Sequence, residues 1–251
     1  MQDYFRLENV TVQFGALVAV DAVSMAIRSG ERRAIIGPNG AGKTTLFNAM
    51  TGVVRPTQGR VLFDGNDISR APVHKRSAMG ISRTFQITNL FPRLSVAENV
   101  LLAMLGHTPR KFALATLPTL NPDEAERGAA ALEMTGLGNR RHSVVTELSY
   151  GEQRQLELAM ALATQPRILL LDEPAAGLSP RERVIVSDII RALPRDLTLI
   201  LIEHDMDIVM NLVDYITVLN NGKLLVEASP EKIKNNTDVQ DVYLGRGGQD
   251  A

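Results

Sequence analysis

The 251-residue chain contains no cysteine, which excludes structural disulfides, thiolate metal sites and thiol nucleophiles together and fits a reducing compartment. It also lacks a long hydrophobic run. The longest apolar stretches, residues 168–171 and 197–202, have the length of buried strands and fall far short of the roughly 18 residues a membrane span requires. No basic stripe is present. Lys and Arg number 27 against 28 Asp and Glu, a formal charge of −1, so the electrostatic footprint of nucleic-acid binding is missing and no nucleic acid is expected as a partner. Residues 1–9 carry no basic start leading into an apolar stretch of about 7–15 residues, so no secretory signal is expected. What is there is ordinary globular usage, 45% apolar and 22% charged, away from the polar, highly charged corner of disordered chains. The expectation is a folded, soluble, cytoplasmic chain whose length suits one core with a subsidiary lobe.

Strand patterns come first. Residues 7–14 and 18–27 alternate or run apolar around Gly15 and close at Ser29-Gly30, which predicts an antiparallel β element. The short apolar run 33–36 leads into a glycine-rich loop at 37–42, then into a helix over 43–50 with Gly52 at its end. Residues 61–63 before Asp64-Gly65 read as a strand and turn, and 80–85 as a further extended stretch. From Gln86 to about Ala163 the periodicity becomes helical. Ser95 and Glu98 have capping-box spacing, and Asn121-Pro122-Asp123-Glu124 opens an Ala-rich helix that should stop at Gly136. Between those helices, 106–120 reads as a loop. Strands return at 167–171 and 197–202 with a helix over 180–193 between them, a β-α-β crossover that makes the core sheet parallel. Residues 245–251 read as a disordered tail. The expected division is a core of 1–85 and 164–229, an inserted helical lobe of 86–163, and a C-terminal helix and tail over 230–251.

Gly37-Pro38-Asn39-Gly40-Ala41-Gly42-Lys43-Thr44-Thr45 fits the phosphate-loop pattern and sits between a predicted strand and helix. Glycines let successive backbone N–H groups converge on nucleotide phosphates, and the helix N-terminus adds a favourable dipole. Lys43 can reach the β- and γ-phosphates, and the Thr44 hydroxyl can ligate Mg²⁺. A second site is Ile168-Leu169-Leu170-Leu171-Asp172-Glu173, a buried strand ending in two acids where an open α/β sheet places its ligands. Asp172 there would coordinate Mg²⁺, and Glu173 would orient and deprotonate an attacking water.

Leu148-Ser149-Tyr150-Gly151-Glu152-Gln153 also has two readings. Ser149 and Glu152 have capping-box spacing, and Leu156, Ala159, Met160 and Ala163 make the apolar stripe of a following helix. At the same time the stretch resembles the signature of the ATP-binding cassette family, usually Leu-Ser-Gly-Gly-Gln. That resemblance implies an α/β fold: a P-loop NTPase (RecA-like), mostly parallel sheet core with an N-terminal antiparallel β subdomain and an inserted α-helical subdomain. It implies ATP and Mg²⁺ as ligands, and a signature that caps the γ-phosphate of ATP on an opposite subunit. The chain departs from the signature at Tyr150 and Glu152. Glu152 is expected to turn to the backbone of its own helix, leaving Ser149 and Gly151 to face phosphate. Phe14 matches the family's adenine-stacking aromatic, Gln86 its glutamine that contacts Mg²⁺ or water, and His204 its switch histidine at the γ-phosphate. Ser179 stands where a coupling Asp is usual.

Within that family, Arg83-Thr84-Phe85-Gln86, Leu90-Phe91-Pro92-Arg93-Leu94-Ser95-Val96, Asp172-Glu173-Pro174-Ala175-Ala176-Gly177, Ile202-Glu203-His204-Asp205-Met206 and Val242-Tyr243-Leu244-Gly245 resemble the ATPase subunits of branched-chain amino acid importers. Their partner cassettes and the ATPases of urea and lipopolysaccharide transport share much of these stretches. The resemblance implies an ATP hydrolase paired with a second cassette as homo- or heterodimer. It would act on two transmembrane permease subunits, and indirectly with a periplasmic substrate-binding protein, at the cytoplasmic face of the inner membrane. Residues 90–94 read equally as a docking surface for a permease helix and as ordinary packing of the lobe. A soluble clamp or assembly factor would carry paired cassettes, coiled-coil arms or a basic face. A small-molecule kinase would leave the signature and His204 unexplained.

Overall fold

The computed structural model describes residues 4–84, 90–106 and 121–244. Strands β1 (Phe5–Phe14), β2 (Leu17–Ile27), β4 (Gln58–Phe63) and β5 (Asn66–Asp67) form an antiparallel sheet in the order β2-β1-β4-β5. The buried side chains of β1 change parity along the strand, from Phe5 and Leu7 to Val10 and Val12, and those of β2 from Val20 to Val23, Met25 and Ile27. With a side-chain period of two, each change requires a bulge. The register shifts there, and Asn9 and Ala22 take left-handed φ values of 47° and 49°. Both displaced N–H groups are satisfied: Asn9 donates to Ser24 Oγ (2.8 Å) and Ala22 to Thr11 Oγ1 (3.0 Å).

A second sheet has six strands in the order β10-β9-β3-β8-β7-β6. Every residue of β3 (Arg32–Ile36), β7 (Ile168–Asp172) and β8 (Thr198–Ile202) is buried, as expected of strands covered on both faces. β3 pairs in parallel with β8 on one side and β9 (Tyr215–Asn220) on the other. β10 (Lys223–Ala228) returns antiparallel through an Asn221-Gly222 turn with both residues left-handed. The buried Arg33 guanidinium is matched by Glu31 (2.6 Å), Thr217 and Glu227, which removes the cost of an unpaired interior charge.

By packing, the chain divides into two compact units, one of residues 1–76, 170–173 and 194–251, the other of 77–169 and 174–193. In the first, helix α1 (Lys43–Thr51) ends at left-handed Gly52, as its sequence predicts. Its last carbonyls are met by a residue whose sequence gave no warning. Arg76 of the short helix α2 (Val73–Ala78) is buried and donates to Ala49 O and Met50 O (2.7 Å each) and to Ala71 O. Burial pushes its guanidinium down to about 10. The same unit holds α7 (Met206–Leu212), α8 (Pro230–Lys234) and α9 (Thr237–Leu244), so two short helices stand where one C-terminal helix was expected.

The second unit is built on α3 (Val96–Leu105), α4 (Pro122–Met134) and α5 (Tyr150–Ala163), with α6 (Pro180–Ala192) and the strand β6 (Ile81–Arg83). Val96, Val100, Met104, Ala131, Leu132 and Leu156 meet in its core, each large aliphatic side chain contributing about 1.5–3 kcal/mol on burial. Ala159 and Ala163 are buried and Met160 packs against them, the stripe expected for α5. This unit takes in more chain than the expected lobe of 86–163. The Gly80 carbonyl accepts from the N–H groups of Arg167 (2.8 Å) and Ile168 (3.0 Å), and Glu182 of α6 accepts from Gly151 N–H, so both flanks are hydrogen-bonded into it. Capping boxes open α3 at Ser95, α4 at Asn121, α5 at Ser149 and α6 at Ser179, each cap worth about 0.5–2 kcal/mol.

Candidate functional site

In the first unit, the loop after β3 borders an open cleft of about 540 Å³ lined by residues 39–45 with Leu17, Val18, Ala19, Glu173, Asn221 and Gly222. Helix α1 starts here without a side-chain cap, its N-cap being Gly42 at φ 95°, ψ 3°, and no acid lies in its first turn. A helix leaves its first N–H groups unsatisfied, so this one offers donors and a positive dipole end to the cleft. Gly42 has no substitute. A Cβ there would run into the Ala19 carbonyl oxygen, and its φ is one that L side chains rarely adopt. Lys43 Nζ donates to Gly37 O (2.7 Å) and Pro38 O (2.9 Å). Burial lowers its pKa while nearby Glu173 opposes that shift.

Glu173 follows the buried Asp172 at the end of β7 and has a left-handed φ of 48°, a conformation that costs a non-glycine residue about 1–3 kcal/mol. Its N–H donates to Ile202 O (3.0 Å), which ties the ends of β7 and β8 together and places it in the cleft wall. Two residues on, His204 is 65% exposed at its side chain. Its N–H donates to the buried Glu203 carboxylate (3.0 Å), and its Nδ1 lies 3.8 Å from the same group. Asp205 caps α7 through the N–H groups of Asp207 and Ile208.

Of the residues expected to hold nucleotide, Asn39, Gly40, Ala41, Gly42, Lys43, Thr44 and Thr45 line the cleft together with Glu173. Gly37 and Pro38 are not among the lining residues, and their carbonyls accept from Lys43 Nζ. Phe14, Asp172 and His204 are not among the lining residues, and Phe14 is exposed at the end of β1. Gln86 lies outside the described residues. The sequence reading missed Asn221 and Gly222. Their hairpin turn is fastened to the loop by Gly222 N–H to Ala41 O (3.1 Å) and to β2 by Asp21 N–H to Gly222 O (2.8 Å), and an Asn-Gly turn signals a hairpin but not what it borders. Among the described residues no group of three or more His, Cys, Asp or Glu could cage a metal. Mg²⁺ keeps waters and takes one or two protein oxygens plus phosphate; the Thr44 hydroxyl, on the cleft lining, and the Asp172 carboxylate, at the end of β7, are donors of that kind.

In the second unit, the turn into α5 carries the stretch 149–152. Ser149 Oγ accepts from Glu152 N–H (3.2 Å), and Ser149 N–H donates to the Glu152 carboxylate (2.8 Å). Glu152 thus turns to its own helix as expected, and its other oxygen meets Arg140 (3.3 Å). Gly151, expected to face phosphate together with Ser149, is engaged within the chain. Glu182 accepts from Gly151 N–H (3.1 Å). Tyr150 is pinned by Arg154, which donates to its hydroxyl (2.8 Å) and lies over its ring. Ser179, at the departed coupling position, is the N-cap of α6. In residues 90–94, Leu90 packs on the core of the unit and Phe91 stands 51% exposed.

The sequence matches the family described as ABC transporter over residues 20–176, which is more than half of the chain. The chain belongs to that family. The cassette is 40% identical to the high-affinity branched-chain amino acid transport ATP-binding protein BraF of Pseudomonas aeruginosa, over 95% of this chain and 96% of that protein. It is equally 40% identical to LivG of Escherichia coli, a protein of the same description, over 97% and 98% of the two chains. In structure it resembles an ATP-binding cassette of an ABC transporter in its ADP conformation (TM-score 0.87, 31% identity, 98% of this chain and 100% of that one). It also resembles a dimeric bacterial ABC transporter cassette (TM-score 0.75, 26% identity, 90% and 98%). The P-loop NTPase fold with its mixed sheets and helices is therefore that of an ABC ATPase. Among the described residues no helix is long and apolar enough to cross a membrane.

Proposed function

We propose that this cassette binds and hydrolyses Mg·ATP, closes on a second cassette, and powers import of branched-chain amino acids through separate permease subunits at the cytoplasmic face of the membrane. The observation that carries the reading is the cleft of residues 39–45, where an uncapped helix start and the half-buried Lys43 stand beside Glu173. Supporting the cargo are the 40% identities to BraF and LivG along nearly the whole chain, since no residue of a cassette reads the transported molecule.

In this reading the N–H groups of the loop and Lys43 bind the β- and γ-phosphates, and Phe14 stacks on adenine. Thr44, Asp172 and Gln86 hold Mg²⁺, which supplies charge neutralisation between the phosphates. Glu173 orients the attacking water and accepts its proton, and His204 contacts the γ-phosphate. Ser149, Tyr150, Gly151 and Glu152 serve the nucleotide of the opposite subunit. The core of 1–85 and 164–229, the helical subdomain of 86–163 and the C-terminal 230–251 are proposed as the functional divisions, and a periplasmic binding protein as an indirect partner.

Glu173→Gln tests the chemistry. Loss of a positioned base should lower turnover by roughly 10²–10⁴ while Mg·ATP binding persists; full turnover in that variant refutes the assignment. For the cargo, proteoliposomes holding the cassette with its co-purified permeases should take up leucine on addition of ATP. Uptake of urea alone, or recovery with ribosomes instead of membrane proteins, would replace the transport reading.

A further inference from the structure

The donors expected to meet a nucleotide from a second cassette are already engaged inside this chain. Gly151 N–H donates to Glu182 Oε1 at 3.1 Å, and Ser149 N–H to the Glu152 carboxylate at 2.8 Å. The fit is close: a Cβ on Gly151 would meet Glu182 Oε1 at 2.5 Å and its Cγ at 2.7 Å, so glycine is what lets the carboxylate lie against the turn. Its second oxygen is held separately, by Ser179 N–H (3.0 Å) and the Ser179 hydroxyl (2.6 Å), as the capping box of α6. These donors keep the Glu182 carboxyl below its ordinary pKa, so it is an anion at neutral pH. The carboxylate presents to the turn what a phosphate would present, a negative oxygen on a backbone N–H at a helix start.

One N–H makes one strong hydrogen bond. We propose that the Glu182 carboxylate and the γ-phosphate of a nucleotide held by a second cassette are alternative occupants of the Gly151 N–H, which makes Glu182 a positioning residue that sets how much nucleotide closes the pair. The inference rests on the cassette reading above and adds a competitor to it. The oxygen on Ser179 gives the side chain an anchor: Glu182 can leave Gly151 by a side-chain rotation and still cap α6. Because Ser179 stands at the departed coupling position, arrival of phosphate at the signature turn would be felt at the start of α6 through this one carboxylate.

The test compares wild type, Glu182→Ala and Glu182→Gln in the full-length chain. It follows the ATP dependence of turnover and of ATP-induced pairing by sedimentation, with thermal unfolding alongside. Removing the competing anion should lower the half-saturating ATP concentration on the order of five-fold in Glu182→Ala and less in Glu182→Gln, whose neutral amide competes weakly, with maximal turnover little changed. A purely structural cap predicts otherwise. Gln satisfies a capping box, so Glu182→Gln would match wild type while Glu182→Ala lost stability and turnover, and that pattern overturns the proposal. Unchanged or raised half-saturation in both variants also overturns it. A wild-type chain that neither binds Mg·ATP nor loses turnover in Glu173→Gln overturns the cassette reading, and this proposal with it.

Discussion

Helix α1 begins at Gly42, left-handed, with no side-chain cap and no acid in its first turn, whereas α5 begins at Ser149, with a full capping box and a second carboxylate on the N–H of Gly151. Both starts carry the same unsatisfied donors and the same dipole. At α5 the chain supplies the anions itself, and the same solution recurs at α3, α4 and α6. At α1 it withholds them, although Ser or Asp at that position is the cheaper way to build a helix. The contrast extends to charge. Lys43 is a cation made less comfortable by burial, while Glu182 is an anion made more comfortable by its donors. A local rule obeyed at α3, α4, α5 and α6 and broken at α1, where the first turn also holds no acid, marks where the missing partner comes from outside.

The largest effect should follow from removing the cation at the uncapped start. Lys43→Ala should weaken Mg·ATP binding on the order of 10²-fold or more, since a charged hydrogen-bond partner of phosphate is lost; equilibrium dialysis measures it, and unchanged affinity would erase the distinction between the two helix starts. Next comes an attempt to make α1 resemble α5. Gly42→Ser offers a favoured cap residue but forces a side chain into a left-handed φ and the Ala19 carbonyl, and should cost about 1–3 kcal/mol in denaturant unfolding as well as weakening nucleotide binding. The converse change at an ordinary start, Ser95→Ala, should cost only about 1 kcal/mol and leave turnover alone.

The smallest effect is on acid stability. Glu182 and Glu98 are held below their ordinary pKa chiefly by hydrogen bonds from Ser179 and from Ser95 respectively. A carboxylate whose folded pKa is depressed stabilises the fold above its unfolded pKa and loses that contribution as pH falls through the folded value. The thermal stability gap between wild type and Glu182→Ala should therefore be constant near neutrality and close below about pH 4. A gap that persisted in acid would mean that Glu182 acts by packing and not by charge.

What could be read without coordinates was local. The loop 37–45 and the boxes at Ser95, Asn121 and Ser149 are written within a few residues, and each appears where the spacing puts it. The bulges at Asn9 and Ala22 went unread in the sequence and take their form from partners on the neighbouring strand. Asn221 and Gly222, which close one side of the cleft, are remote in sequence from the loop they border, and periodicity carries no signal of such a meeting. The Arg76 cap on α1 comes from 26 and 27 residues away. Glu182 reaches Gly151 across 31 residues, a contact that no local spacing signals. Helix α2 is only six residues long, Val73–Ala78, and offered no pattern at all.

One measurement addresses the contrast between the helix starts directly: the backbone amide spectrum of the Glu173→Gln chain, titrated with Mg·ATP while dilute enough to remain single. If α1 is the start that takes its anion from outside, the amides of residues 39–45 shift on titration while that of Gly151, held by Glu182, stays in place until the chain concentration is raised and pairing begins. If the amides of 39–45 stay still, or Gly151 moves first in the unpaired chain, the contrast is wrong and with it the proposed site.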